Sequence, residues 1–156
     1  MDASQVLWEK WHEQVKGLFP TLHGHQQKVL ALIVAGMVVS GCAVLQRVAE
    51  DIQQQGWSEA KMSSIERRLE RFVANEQVEV NEMWEAFLGE VLPYWKGQKL
   101  TFVLDCTPYN AQFTIVYLGL LVHSRVLPVV WVVMPQQEKW EERQWDICLP
   151  STDGQA

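Results

Sequence analysis

The segment FTIVYLGLLVHSRVLPVVWVVM, residues 113–134, decides how the second half of the chain folds. It holds two apolar runs rich in β-branched residues, which fit the half-buried surface of a pleated sheet. Only His123-Ser124-Arg125 separates the two runs, and so short a connection predicts a hairpin. Because Pro128 cannot donate to a sheet ladder, the second run is expected to be an edge strand or to start late.

A third strand is predicted just upstream of the hairpin. In KLTFVLD, residues 99–105, the side chains alternate with a period of two, which is typical of a half-buried strand. Cys106-Thr107-Pro108 follows, where the chain is expected to turn, so Asp105 should end this strand. The chain from Lys99 onward is therefore predicted to contain three strands.

Asp105 is the candidate metal ligand. A carboxylate at a strand end is held rigidly and can face a cleft, which suits a hard cation such as Mg²⁺. The alternative is an aspartate that caps the loop after the strand through its own backbone. Spacing by itself favours this alternative, because such aspartates are common in loops.

Residues 1 to about 95 have helical periodicity instead. Apolar residues recur at helical spacing from Leu7 to Phe19, and Pro20 stops this run. The fourth and last helix of this part is predicted to end before Pro93. Its expected buried stripe consists of Met83, Trp84, Phe87, Leu88 and Val91.

The stretch VLALIVAGMVVSGCAVL, residues 29–45, carries no charge. A membrane-spanning helix needs about 20 apolar residues, so this segment is borderline in length. Gly36, Ser40 and Gly41 lower the hydrophobicity of the segment. We expect a pair of buried helices broken near Ser40-Gly41, with a membrane anchor as the weaker alternative.

A basic helix is predicted after Gly56, which is a natural stop for the preceding helix, residues 43–55. Ser63 followed by Glu66 fits a capping box at the start of the basic helix. Its expected buried stripe consists of Ile65, Leu69, Phe72 and Val73.

The basic helix supplies the candidate DNA-binding residues. Arg67, Arg68 and Arg71 fall within about a third of the helix circumference, opposite the apolar stripe, and Lys61 lies just ahead. With the preceding helix and the Gly56 turn, they form a predicted helix-turn-helix. The alternative is a salt-bridged, solvated face, because glutamates interleave with the arginines.

Composition narrows the classes of function. The chain has 13 Lys and Arg against 19 Asp and Glu, a net charge of −6, which excludes a wholly basic DNA-coating protein but not one basic face. GxSxG, P-loop, GxGxxG and HExxH motifs are absent. Three widely spaced cysteines favour a reducing compartment, and no signal peptide is visible, so the expected location is the cytoplasm.

The order of these features resembles the N-terminal part of bacterial insertion-sequence transposases of the DDE type. The resemblance covers about residues 25 to 140. It is carried by VLALIVAGMVVSGCAVLQRVA (29–49), SSIERRLERFVAN (63–75), EMWEAFLGEVLPYWKGQKLTFVLDCTPY (82–109) and HSRVLPVVWVVMP (123–135).

The resemblance implies an α+β chain with a helical, helix-turn-helix-like DNA-binding region over residues 1–97. Residues 98–156 would then be the first three strands of a truncated RNase H-like catalytic domain. Asp105 falls on the first of the family's three metal-binding carboxylates, and the helix with Lys61, Arg67, Arg68 and Arg71 falls in the region that contacts the transposon end. The implied cofactor is Mg²⁺, and the implied partner is double-stranded DNA of the terminal repeats.

The chain departs from the family pattern in its acidic residues. Such enzymes need a second Asp and a Glu much farther along to hold two Mg²⁺ ions about 3.5–4 Å apart. Asp146 and Asp153 lie too close to Asp105 to replace that pair. We therefore expect a truncated transposase that binds DNA, does not cleave strands alone, and associates with itself or with full-length transposase. The alternative is a non-enzymatic helix-turn-helix module that regulates transposition.

Overall fold

The computed structural model describes residues 3–136 of the chain. Within this range five α-helices precede a three-stranded antiparallel sheet, which confirms the α+β prediction. The elements are α1 (Ala3–Leu18), α2 (Gly24–Ser40), α3 (Leu45–Gln54), α4 (Met62–Val73), α5 (Val80–Val91), a short 3-10 helix (Leu92–Trp95), β1 (Phe102–Pro108), β2 (Phe113–Val122) and β3 (Arg125–Pro135). The chain divides into two compact units between Val91 and Leu92. Asp146 and Asp153 lie outside the described residues.

One apolar core is shared by the four helices α1, α2, α3 and α4 of the first unit. Its buried members come from all four helices and from the connection between α3 and α4, because the apolar stripes of these helices face one another. They are Trp8, Val15, Val29, Ala31, Leu32, Ile33, Ala35, Val48, Ala49, Ile52, Trp57, Ile65 and Leu69.

The uncharged stretch forms most of α2 and reaches the first residue of α3, with a sharp break between these helices at Gly41, as predicted. Helix α2 ends where Gly41 adopts a left-handed conformation, with φ at 65°, and the Gly41 N–H donates to the Met37 carbonyl at 3.0 Å. The axes of α2 and α3 differ in direction by 91° across this break. Among the described helices, none alone is long and apolar enough to cross a membrane, although the bent pair passes that test by length and composition.

Gly36 lets α2 and α3 approach each other closely. A Cβ atom added at Gly36 would lie 2.6 Å from Cγ1 of Val48 and 3.3 Å from Cγ1 of Ile52. Both of those side chains are fully buried, so they have no free space into which to move. The glycine that weakens the membrane-span interpretation is therefore a packing requirement of this helix pair.

The connection from α3 to α4 is fixed by a Schellman motif. Gly56 has φ at 69°, its N–H donates to the Gln53 carbonyl, and the Trp57 N–H donates to the Ile52 carbonyl at 3.1 Å. The Trp57 side chain then enters the core. This turn therefore fixes the direction in which the chain leaves α3 and enters α4.

The predicted capping box at Ser63 is wrong. Helix α4 begins at Met62 with Lys61 as its N-cap, and no side chain makes a capping hydrogen bond there. The Lys61 carbonyl accepts from the amides of Ser64 and Ile65, which places Ser63 inside the first turn. The chain enters the helix earlier because Met62 packs against the core.

The predicted buried stripes of α4 and α5 are only partly correct. In α4, Ile65 and Leu69 are buried, but Phe72 is half-buried and Val73 is 65% exposed. Helix α5 has no buried residue, although its apolar residues have helical spacing. Helical spacing identified the α5 helix correctly but did not show whether other elements cover its apolar face.

The sheet is a meander in the order β1-β2-β3. His123, with φ at 55°, and Ser124 form the turn between β2 and β3, so the hairpin prediction is confirmed. The ladder between β2 and β3 shifts register at Leu118/Gly119, where Gly119 pairs with Pro128. As predicted, the strand that contains Pro128 lies at an edge of this three-stranded sheet, and the register shift is a site where proline is tolerated.

The prediction that β1 ends at Asp105 is wrong. Strand β1 continues to Pro108, and Asp105 pairs with Tyr117 near its middle. The turn comes later, at Asn110, whose side-chain oxygen accepts hydrogen bonds from the amides of Gln112 and Phe113. Pro108 fits the last position of the strand because β1 lies at the sheet edge.

We predict that Gly36→Ala destabilises the protein. Overpacking a buried contact typically costs about 1–3 kcal/mol. Alanine gains about 1 kcal/mol over glycine in a helix interior. Because the 2.6 Å approach is severe, the overpacking cost should exceed that gain. Thermal unfolding followed by circular dichroism measures the balance.

Gly17→Ala is the matched control, because an added Cβ in this α1 position meets no atom within 4 Å. It should leave the melting temperature unchanged or raise it. Equal melting temperatures for Gly36→Ala and wild type would contradict the close packing of α2 on α3.

Candidate functional site

Helix α4 presents its cations to solvent. Arg67, Arg68 and Arg71 are exposed, as is Lys61 at the N-cap position. On the other side of the helix, Ile65 and Leu69 are 1% and 0% exposed in the core. Of the four predicted DNA-binding residues, the three arginines therefore lie on one helix whose opposite side is anchored, and Lys61 directly precedes that helix.

The arginines of α4 form no ion pair with the interleaved glutamates. Within the part of the chain that the structure describes, one ion pair is present, between Lys16 Nζ and Glu13 Oε1 on α1, at 2.8 Å. Glu66 and Glu70 lie on α4 itself and accept no hydrogen bond from an arginine of the helix. The geometry therefore gives no support to the interpretation of α4 as a salt-bridged face.

Asp105 is exposed and accepts two hydrogen bonds. Its Oδ1 accepts from the amide of Cys106 at 2.8 Å, and its Oδ2 accepts from the phenol of Tyr117 at 3.2 Å. The first bond is local, as expected of an aspartate that binds its own backbone. The second joins two strands, because Asp105 and Tyr117 are directly paired in the ladder between β1 and β2.

The pKa of the Tyr117 phenol is raised from its ordinary value. Burial raises the pKa of the Tyr117 phenol, and the hydrogen bond to Asp105 and the negative charge of Asp105 raise it further. Each cause disfavours the charged phenolate. The phenol therefore stays protonated, and able to donate to Asp105, to a higher pH than an ordinary tyrosine.

The surroundings of Asp105 do not form a complete metal site. Among residues 3–136, no group of three or more His, Cys, Asp or Glu side chains is placed to hold a metal ion. Both oxygens of the one candidate carboxylate already accept hydrogen bonds. Mg²⁺ is usually held by one or two carboxylates together with waters and substrate phosphates, so Asp105 by itself would be only part of such a site. The Mg²⁺ prediction stays a prediction, and no chemical step follows from the described residues.

Tyr117 is the site residue that the sequence did not reveal. Its pairing with Asp105 depends on the register of β1 against β2, which is set by the loop between Pro108 and Phe113. The signal in the sequence is Asn110, whose side chain closes that loop. An Asx turn at Asn110 would have fixed the register and brought the two side chains together.

Comparison with known proteins adds no further information on the site. No protein-family model, curated protein or solved structure matches the chain. The exposed cations of α4 and the surroundings of Asp105 are therefore the observations on which a function can be proposed.

We predict that Asp105→Asn lowers the pKa of Tyr117 toward its ordinary value of about 10. The substitution removes a negative charge that disfavours the phenolate, while the contribution of burial remains. NMR titration of ¹³C-labelled tyrosine measures the change, and Tyr117→Phe assigns the signal.

The raised pKa of Tyr117 determines how the stability of the fold changes with pH. The contribution of the bond between Tyr117 and Asp105 is fully present below the unfolded pKa and is lost as pH rises through the folded value. An identical Tyr117 titration in wild type and Asp105→Asn would contradict the interaction.

Proposed function

We propose that the helical unit binds double-stranded DNA through the basic face of α4, defined as Lys61, Arg67, Arg68 and Arg71. The observation that carries this proposal is the exposure of all four cations on or directly before one anchored helix, without an ion pair among the described residues. Arginine and lysine held in this way neutralise phosphates and release counterions, which is the main source of affinity for DNA.

The arrangement of α3 and α4 supports a helix-turn-helix role for this pair. Helix α4 follows α3 through a rigid turn, and both helices contribute to the same core. In helix-turn-helix proteins the second helix enters the major groove while the first helix supports it. Helix α4 is accordingly the proposed recognition helix.

We propose further that the chain is part of a DDE-type transposase that binds transposon-end DNA. Beside the sequence resemblance, two features support this identity: a helical unit with a basic helix precedes the sheet, and the candidate carboxylate lies exposed on the first strand. In this proposal the sheet is the opening of an RNase H-like domain. Asp105 would be one ligand of a Mg²⁺ site whose other carboxylates are not among residues 3–136, and a role on bacterial DNA would place the chain in the cytoplasm.

A non-enzymatic regulator of transposition is the second candidate. The hydrogen bonds that the Asp105 carboxylate accepts from the Cys106 amide and the Tyr117 phenol give it a role within the sheet that needs no metal. The two candidates share DNA binding by α4. They differ in Asp105, which a regulator does not need for any activity.

We predict that Arg67→Ala, Arg68→Ala and Arg71→Ala together abolish most duplex binding. The slope of log K against log salt should become less negative by about 0.9 for each of these arginines that contacts a phosphate. Fluorescence anisotropy of a labelled duplex carrying a transposon terminal repeat, over a salt series, measures both quantities.

Lys96→Ala, Lys99→Ala and Arg125→Ala together form the matched control. This variant loses the same three positive charges from exposed positions in the other compact unit. Asp105→Asn serves as a second control and should leave duplex binding unchanged. Equal losses of affinity in the two triple variants would show a general charge effect and contradict a site on α4.

We propose that the sheet mediates self-association or association with full-length transposase. Strand β1 lies at the edge of the three-stranded sheet, and it exposes Phe102 at 48% and Leu104 at 37%. On β3, Val130 and Trp131 are 38% and 37% exposed. Apolar side chains on an edge strand favour association with another chain.

We predict that this association is measurable by light scattering coupled to size exclusion. The full chain should show a mass above that of one chain, rising with concentration. Phe102→Ser with Leu104→Ser should shift the mass toward that of a monomer, because it removes apolar area from the edge strand. A wild-type monomer at all concentrations would contradict this proposal.

A further inference from the structure

The exposed side of α4 is not uniformly charged. At about 100° per residue, Arg67 lies about 180° from the middle of the buried pair Ile65 and Leu69. It therefore occupies the centre of the exposed face. Arg71 follows at about 40° from Arg67, on the same exposed side of the helix.

The two flanks of this face carry opposite charges. Arg68 lies about 100° from Arg67, on the side toward which Arg71 is displaced. Glu66 and Glu70 lie at about 100° and 60° on the opposite side. Because no arginine of α4 pairs with either glutamate in the described structure, the helix has one basic flank and one acidic flank.

A helix in the major groove meets different groups at its centre and at its flanks. Side chains at the centre of the exposed face reach the base edges, and side chains on the flanks meet the phosphates of the groove walls. An acidic flank is repelled by phosphates, whereas a basic flank is attracted to them. Helix α4 is therefore suited to lie nearer to one wall of the groove, with its Arg68 flank against that phosphate backbone and its acidic flank away from the opposite one.

We propose that Arg67 is the specificity-determining residue of the α4 site and that Arg68 is a phosphate contact. This assignment rests on the proposed DNA-binding function and adds a division of roles within it. Arg67 reads a base edge, with guanine as the preferred partner because its O6 and N7 accept both hydrogen bonds of a guanidinium. Arg71 lies one turn further along the same exposed side and adds a second positive charge near Arg67.

The division of roles predicts two distinguishable variants. Selection of the full chain on duplexes with a randomised central segment first gives a preferred sequence. Arg67→Ala should then lower the ratio of affinities for the preferred and a scrambled duplex by about 5- to 150-fold. Arg68→Ala should weaken binding to both duplexes equally, leave the ratio unchanged, and make the salt slope less negative by about 1.

Arg67→Lys separates charge from hydrogen-bond geometry. It keeps the positive charge and hence the salt slope, but lysine lacks the two-pronged donor of arginine, so the ratio should still fall. All three substitutions are at exposed positions, and thermal unfolding checks that each variant keeps its fold.

Each outcome bears on one of the two proposals. Equal changes in the ratio for Arg67→Ala and Arg68→Ala, or a wild-type chain without sequence preference, would overturn the division of roles while leaving DNA binding intact. A wild-type chain that binds no duplex at low salt would overturn the proposed function itself, and this assignment with it.

Discussion

The burial of one side of α4 is the constraint on which the candidate site depends. Ile65 and Leu69 are removed from water, and burying such side chains typically stabilises a fold by about 1.5–3 kcal/mol each. Rotation of α4 about its axis would expose both of them and bury arginines without partners, which costs far more. The direction of Arg67, Arg68 and Arg71 toward solvent is thus a consequence of the apolar core.

Two glycines make that arrangement possible for different physical reasons. Gly36 has no side chain, so α3 can approach α2 closely enough to bury Val48 and Ile52. Gly56 adopts a backbone conformation that side-chain-bearing residues rarely take, and this lets the Schellman turn deliver Trp57 into the core. Helix α4 begins only a few residues later, so its placement depends on both contacts.

The sequence predicted the elements more accurately than their ends or their burial. Apolar periodicity and Pro128 were enough for the helices, the hairpin and the edge strand, because those signals are local. The end of β1 and the pairing of Asp105 with Tyr117 were missed, since they depend on which residue closes the loop after Pro108. The partial exposure of the apolar residues of α5 was missed because burial depends on neighbouring elements. For the candidate site, helical spacing located the basic face, but side-chain geometry was needed to show that its arginines form no ion pair within residues 3–136.

NMR titration of the full chain with duplex DNA tests the central claim most directly. Amide shifts recorded at low salt report which residues meet the DNA. We expect the largest changes at Lys61 and along α4, with smaller changes in α3. The Asp105→Asn variant should show the same pattern of changes. Changes confined to the sheet, or spread evenly over exposed lysines and arginines of both units, would contradict a DNA-binding site on α4.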